Sequence, residues 1–159
     1  MAQAVTVAIL GGMERIIIAI DGSPGARAAL ETGLALARGA GAIATVVYVR
    51  HAPLPVLGDP FYQRLLSNEL MRARVAIADA EALAATMGVD IEPEVLEGHP
   101  ARCVLDLAEA RGAGLIVVGS RGRGAITGAL LGSVSAEIVH NASQPVLVAK
   151  QRSRARQAA

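Results

Sequence analysis

The chain has almost no aromatic side chains. Tyr48, Phe61 and Tyr62 are its only rings in 159 residues, and tryptophan is absent. Proteins that grip splayed bases need stacking platforms, so nucleic acid is not expected as a partner. The charge balance agrees. Net charge is +1 with histidine neutral, and no basic surface stands out except the last few residues. Lysine is also nearly missing. Lys150 is the only one, the other basic positions being arginine. A P-loop or a Schiff-base enzyme therefore has almost nowhere to find its lysine. There is a single cysteine, Cys103. That excludes a disulfide framework or a thiolate-rich metal site within one chain, and a cytoplasmic home is expected. The helical pattern Arg102-Cys-Val-Leu-Asp-Leu-Ala108 makes Cys103 a small core residue. Long apolar runs are missing too. None approaches the roughly 20 residues of a membrane span, and residues 1–12 lack the basic start of a signal peptide. They are expected to form an N-terminal extension, with Met13 an alternative start.

Aliphatic side chains are abundant. Hydrophobic residues make up 53% of the sequence, so one domain, over 13–150, has a core of Ala, Val, Ile and Leu. Ile16–Ile20 and Leu115–Val118 are continuous apolar runs, the pattern of parallel strands buried on both faces. Ile43–Val49, Val89–Glu97 and Gln144–Ala149 complete five strands. Glu92, Glu94 and Glu97 give the third a wetter face and an edge position. Between the strands lie helical patterns at about Pro24–Arg38, Phe61–Met87, Ala101–Arg111 and Ser133–Asn141. Pro24 follows Ser23, a helix-start signal, and Gly88 ends the long second helix. In the first helix Ala28, Leu30, Leu34, Ala35 and Ala37 form the apolar side, and Gly39 and Gly41 stop it. Strict alternation of strand and helix predicts an α/β domain: an open, doubly wound, five-stranded parallel sheet. Residues 151–159 read as a basic, flexible tail.

Ligands of such sheets bind beyond the carboxyl ends of the strands, where strand order reverses. Two junctions fit. Asp21-Gly-Ser23 follows the first strand; Gly119-Ser-Arg-Gly-Arg-Gly-Ala-Ile-Thr-Gly-Ala-Leu-Leu-Gly-Ser133 follows the fourth. If those strands are neighbours, both junctions face one crevice. The glycines leave amides bare and free to take positive φ, which makes an anion nest. The last helix, capped by Ser133, presents unpaired N–H groups to phosphate. The hydroxyls of Ser133 and Ser135 add donors, and Arg121 and Arg123 add charge-assisted bonds. Connections of this kind usually run about 2–6 residues; this one is about twice that length.

Rival motifs fail in detail. Gly128 to Ser133 lacks the P-loop lysine and is one residue short. Gly122-Arg-Gly124 is a fragment of the dinucleotide fingerprint, without the acidic residue about twenty positions on. Ser120 lacks the first glycine of a nucleophile elbow, where Val118 stands.

Gly119, Gly122, Gly132 and Ser133, spaced Gly-x2-Gly-x9-Gly-Ser, resemble the ATP-binding signature of the universal stress protein family. The resemblance extends to Ile18-Ala-Ile-Asp21-Gly-Ser23, Val47-Tyr-Val49, Glu97-Gly98 and Gln144-Pro-Val-Leu-Val148. It implies a Rossmann-like sheet of strand order 3-2-1-4-5. It also implies a site. Ala19 stands where the family places a small or proline residue against adenine, with Ile20 and the Asp21 carboxylate beside it, near base and ribose. Val49 lies beside the base. Val118 and Gly119 line the nucleotide, and Gly122, Gly132, Ser133, Val134 and Ser135 match the phosphate and ribose segment. The implied ligand is ATP, with ADP, AMP or a cyclic nucleotide as alternatives, and Mg²⁺ arriving only with it. Family members are homodimers through the last strand, here Val146–Val148. Gly124 and Gly128 are extra glycines that loosen the loop.

Simpler roles remain open. Asp21 is also placed to cap the first helix, and His51 and His99 suit turns as well as the crevice. No general base with a partner is evident, so catalysis is expected to be slow at most. The expected function is nucleotide binding in a stress response. A weak ATPase or self-phosphorylating protein, with Ser120, Ser133 or Ser135 as acceptor, and a nucleotide-free interaction module are the alternatives.

Overall fold

A computed structural model describes residues 13–51, 58–123 and 131–151. The basic tail beyond Gln151, the N-terminal extension and the glycines at 124 and 128 lie outside the described residues.

The elements alternate as the apolar runs require. β1 (Arg15–Ile20), β2 (Ile43–Arg50), β3 (Ile91–Glu97), β4 (Leu115–Gly119) and β5 (Val146–Ala149) form one sheet. Its order is β3-β2-β1-β4-β5, and every pairing is parallel. Central β1 pairs on both sides, Ile16 lying between Ala44 and Leu115. That explains its unbroken isoleucine run: Ile16, Ile17 and Ile18 are fully buried. β3 is an edge, as its glutamates predict, and it tolerates Pro93 there.

The helices are α1 (Pro24–Ala40), α2 (Phe61–Met87), α3 (Pro100–Ala110) and α4 (Ser133–Asn141). α1 and α2 cover one face, where Leu30, Leu34, Ala73, Ala76, Ala80 and Ala84 meet Ile16, Ile18 and Tyr48. α3 and α4 cover the other, with Val104, Ala108 and Ile138 against Ile17, Val47 and Ile116. Tyr48 is an aromatic ring in a core expected to be purely aliphatic, and the rest is closed by small residues at close range. At Gly33 of α1 a Cβ would come within 2.6 Å of Ile18 Cδ1.

Local signals hold with small shifts. Ser23 caps α1, its Oγ accepting from Ala26 N at 3.1 Å. Gly41 and Gly88 end α1 and α2 in the left-handed region. Gly39 lies within the last turn of α1 and does not stop it. The buried side of α1 is Ala26, Ala29, Leu30, Gly33, Leu34 and Ala37; Ala35 is exposed and Ala28 half-buried. The helix is rotated from the expected stripe because glycines also face the sheet. Cys103 is half-buried, not a core residue. Its Sγ donates to Glu97 O at 3.7 Å, and partial burial pushes the thiol up.

The expected wet face of β3 carries an ion-pair cluster. Glu92 takes Arg15, which also reaches Thr45, while Arg111 pairs with Glu94. The Arg15 hydrogen bond is the main cause holding the Glu92 carboxyl below its ordinary 4.5. A lowered pKa in the folded state stabilises the fold above the unfolded value, and this is lost as pH falls through the folded one. Glu92→Gln is therefore expected to flatten the decline of Tm below pH 4.5. An unchanged acid limb in thermal melts would contradict it.

Candidate functional site

α1 leaves β1 toward one face of the sheet, and α4 follows β4 on the other. The carboxyl ends of these neighbouring strands therefore open into a crevice, at the point where strand order reverses. Its volume is about 370 Å³, within the range of small-molecule sites. The residues assigned to the nucleotide from the sequence line it, whereas Ser120, a candidate phosphate acceptor, is not among the lining residues. Ala19, Ile20 and Asp21 come from the end of β1, and Val49 from β2. Val118, Gly119, Arg121, Gly122 and Arg123 come from β4 and its exit, and Gly132, Ser133, Val134 and Ser135 from the start of α4.

Asp21 ties the two junctions together. Its Oδ1 accepts from Ser23 N and its Oδ2 from Arg123 N, each at 2.9 Å. Ser23 is the cap of α1, so Asp21 supports that cap instead of being it. A carboxylate has about four acceptor positions, and these two leave room for a sugar hydroxyl. Ser23 Oγ also lies 3.4 Å from Arg121 O, a second tie between the junctions.

The two ends of the glycine-rich connection are zipped together. Gly132 N donates to Ser120 O at 2.8 Å, and Ser135 Oγ lies 3.0 Å from Gly132 O and 3.3 Å from Ser120 O. The buried Ser135 hydroxyl thus also closes the loop. Ser133 is exposed. It is the first residue of α4, and Gly132 is the cap, with no side-chain hydrogen bond. Among the described residues no side chain caps the N-terminal amides of α4, which stand at the crevice wall.

The described loop glycines do not use the positive φ expected to be open to them. None of Gly119, Gly122 and Gly132 has positive φ. Gly119 is required by contact, since a Cβ there would lie 2.5 Å from Gly25 C. At Gly122 a Cβ would lie 2.6 Å from Asp21 Oδ2. At Gly132 the nearest described atom would be 3.5 Å away, an ordinary contact. Among the described residues nothing demands glycine at 132.

Four lining residues were not assigned from the sequence, Ala26, Val47, Pro100 and Val104, while His51 and His99, for which turn positions were the simpler expectation, also line the crevice. His51 follows β2 and His99 precedes α3, so both stand at carboxyl ends of strands, a signal that was present. His99 Nδ1 lies 3.7 Å from Glu137 Oε1 of α4. Among the described residues no group of acids, histidines and cysteine is placed to hold a metal ion.

The Arg123 guanidinium lies 5.9 Å from the Tyr48 ring centroid, a cation–π distance. Tyr48 is fully buried, and burial pushes its phenol up; the Arg123 charge opposes this and Glu69 adds to it.

This is the doubly wound, Rossmann-like class of α/β domain, with its crevice at the switch point. The sequence profile of the universal stress protein family matches residues 12–150, and the chain belongs to that family. A universal stress protein of Thermus aquaticus is 39% identical over 137 residues, covering 85% of this chain and 97% of its own. UspA from Lactobacillus plantarum superposes with a TM-score of 0.78 at 27% identity, over 86% of this chain and 97% of that one. A universal stress protein solved in complex with cAMP has the same fold. Its TM-score is 0.71 at 24% identity, over 88% and 99% of the two chains. No described helix is long and apolar enough to cross a membrane.

Proposed function

We propose that this chain is a cytoplasmic, ATP-binding regulatory protein of the stress response, with Mg²⁺ entering only on the nucleotide. The carrying observation is the convergence at one wall of the crevice. The exit of β4, with glycines at 119 and 122, meets the start of α4, and Asp21 stands across from them. Amides and a helix N-terminus suit the phosphates. Asp21 suits the ribose, and Ala19, Val47, Val49 and Val118 offer an apolar slot for the base. The complex of a structural neighbour with cAMP supports an adenine nucleotide as the ligand class. Gly132 fits this reading, because a side chain there would point toward the ligand without meeting any described atom closer than 3.5 Å.

Binding is favoured over turnover. Among the described residues no imidazole or carboxylate is hydrogen-bonded to Ser120, Ser133 or Ser135. Activation of a serine hydroxyl needs such a base. The half-buried edge strand β5, with Val146, Leu147 and Val148, suits pairing with a second copy.

Isothermal calorimetry with ATP, ADP, AMP and cAMP is the test, with micromolar to sub-millimolar binding of ATP expected. No heat with any of the four would remove the reading. Sedimentation of the same sample should give about twice the 16.2 kDa chain mass; a monomer would remove the β5 pairing.

A further inference from the structure

Arg123 lines the crevice, and its main chain and side chain have different partners. The amide is fixed to Asp21. The guanidinium lies over Tyr48, on the α2 side of the sheet, and its Nη2 is 4.0 Å from Glu69 Oε2. That distance is beyond hydrogen-bond reach. Among the described residues, three buried polar atoms on this side have no hydrogen-bond partner: Tyr48 Oη, Arg50 Nη1 and Glu69 Oε2. Other atoms of the same side chains are paired. Glu69 Oε1 takes Arg72 Nη1 at 2.6 Å, and Arg50 Nη2 pairs with Glu97. Arg123 is thus attracted to Glu69 and Tyr48 by charge and ring quadrupole, without a hydrogen bond to either side chain.

Buried polar atoms are normally satisfied, so this resting place is incomplete. A phosphate offers a guanidinium what Glu69 does not, namely short, charge-assisted and bidentate bonds. The pivot is already in place, because the Arg123 main chain borders the crevice next to Gly122.

We infer that Glu69 and Tyr48 set the site's preference for phosphate-chain length by competing with the ligand for Arg123. This rests on the nucleotide reading above. A short phosphate chain ends between Gly122 and Ser133 and leaves Arg123 on Tyr48. A longer chain draws the guanidinium into the crevice. Glu69 then keeps Arg72 alone, and the seating of α2 becomes dependent on which nucleotide is bound. Glu69 and Tyr48 are positioning residues, acting through Arg123.

The test is calorimetry with ATP and with AMP on four proteins: the natural sequence, Glu69→Gln, Arg123→Gln and the double variant. A half-buried ion pair that must be broken by one ligand only predicts that Glu69→Gln tightens ATP by roughly two- to five-fold. AMP should bind as before. In the Arg123→Gln background the Glu69 change should have no effect on ATP. Equal tightening of ATP and AMP would overturn the inference, as would the same effect without Arg123.

A second measurement does not depend on Glu69→Gln folding. The chain has no tryptophan and two tyrosines, so Tyr62→Phe leaves Tyr48 as the sole emitter. Saturating ATP should change its fluorescence and saturating AMP should not; identical responses would overturn the inference. If ATP binds while Tyr48 stays silent, only this inference falls. If no nucleotide binds, the reading beneath it falls as well.

Discussion

Gly25→Ala is expected to destabilise the protein by about 1–3 kcal/mol, although alanine is the better helix former. Gly25 is the second residue of α1 and is buried. A Cβ there would stand 2.2 Å from the carbonyl oxygen of Arg121. Gly119 meets the same spot from the other side, its own Cβ position lying 2.5 Å from Gly25 C. Both obstacles are main chain, so no rotamer change relieves them. The start of α1 would have to back away from the exit of β4. That movement would pull Ser23 Oγ from Arg121 O and disturb the Asp21 tie to Arg123. For a chain of this size the melting temperature should fall by roughly 2–4 °C per kcal/mol. Gly39→Ala is the control: it lies in the same helix with no atom within 4 Å of its Cβ position. There alanine should be neutral or stabilising. If thermal melts by circular dichroism showed Gly25→Ala as stable as Gly39→Ala, the close contact would not exist.

That contact illustrates what the sequence can and cannot tell. Elements were legible because their signals are local. The isoleucine run of β1 marks a strand buried on both faces. α2 runs over Phe61–Met87 as its pattern requires, with Gly88 closing it in the left-handed region. The strand order came from family resemblance, since alternation of strand and helix alone leaves several orders open. The membership of the crevice was legible for the same reason: one signature carries Gly119, Gly122, Gly132 and Ser133 together. The reasons for individual residues were not. Positive φ was expected to be open to the loop glycines, whereas Gly25 and Gly119 are glycines because two backbones far apart in sequence touch. Ser135 looked like a ligand donor, and its hydroxyl also closes the loop on Ser120 and Gly132. Arg123 looked like a phosphate arm, yet its guanidinium rests over Tyr48. Each of these depends on a partner brought near only by folding, so no local pattern announces it.

Gly122→Val separates the site from the fold. Gly122 is exposed and contributes nothing to either core. A Cβ at this position would lie 2.6 Å from Asp21 Oδ2 and 3.7 Å from its Cγ. The obstacle is the end of a side chain, so the carboxylate can turn aside and the chain should still fold. Turning aside breaks the bond from Arg123 N and loosens the one from Ser23 N, both now 2.9 Å. The two junctions would then lose their common anchor, and the valine itself would fill part of the crevice. ATP affinity is expected to fall by about 100-fold or more, equivalent to roughly 2.7 kcal/mol, with the melting temperature nearly unchanged. Gly132→Ala makes the complementary comparison. Its Cβ would meet no described atom closer than 3.5 Å, so a loss of affinity there with an unchanged melt reports on the ligand. Calorimetry on both variants, beside their melts, decides where the nucleotide sits. Unchanged ATP affinity in Gly122→Val would move the site away from the Asp21 junction. Unchanged affinity in Gly132→Ala, with a loss in Gly122→Val, would keep the site at Asp21 but take the phosphates away from the start of α4.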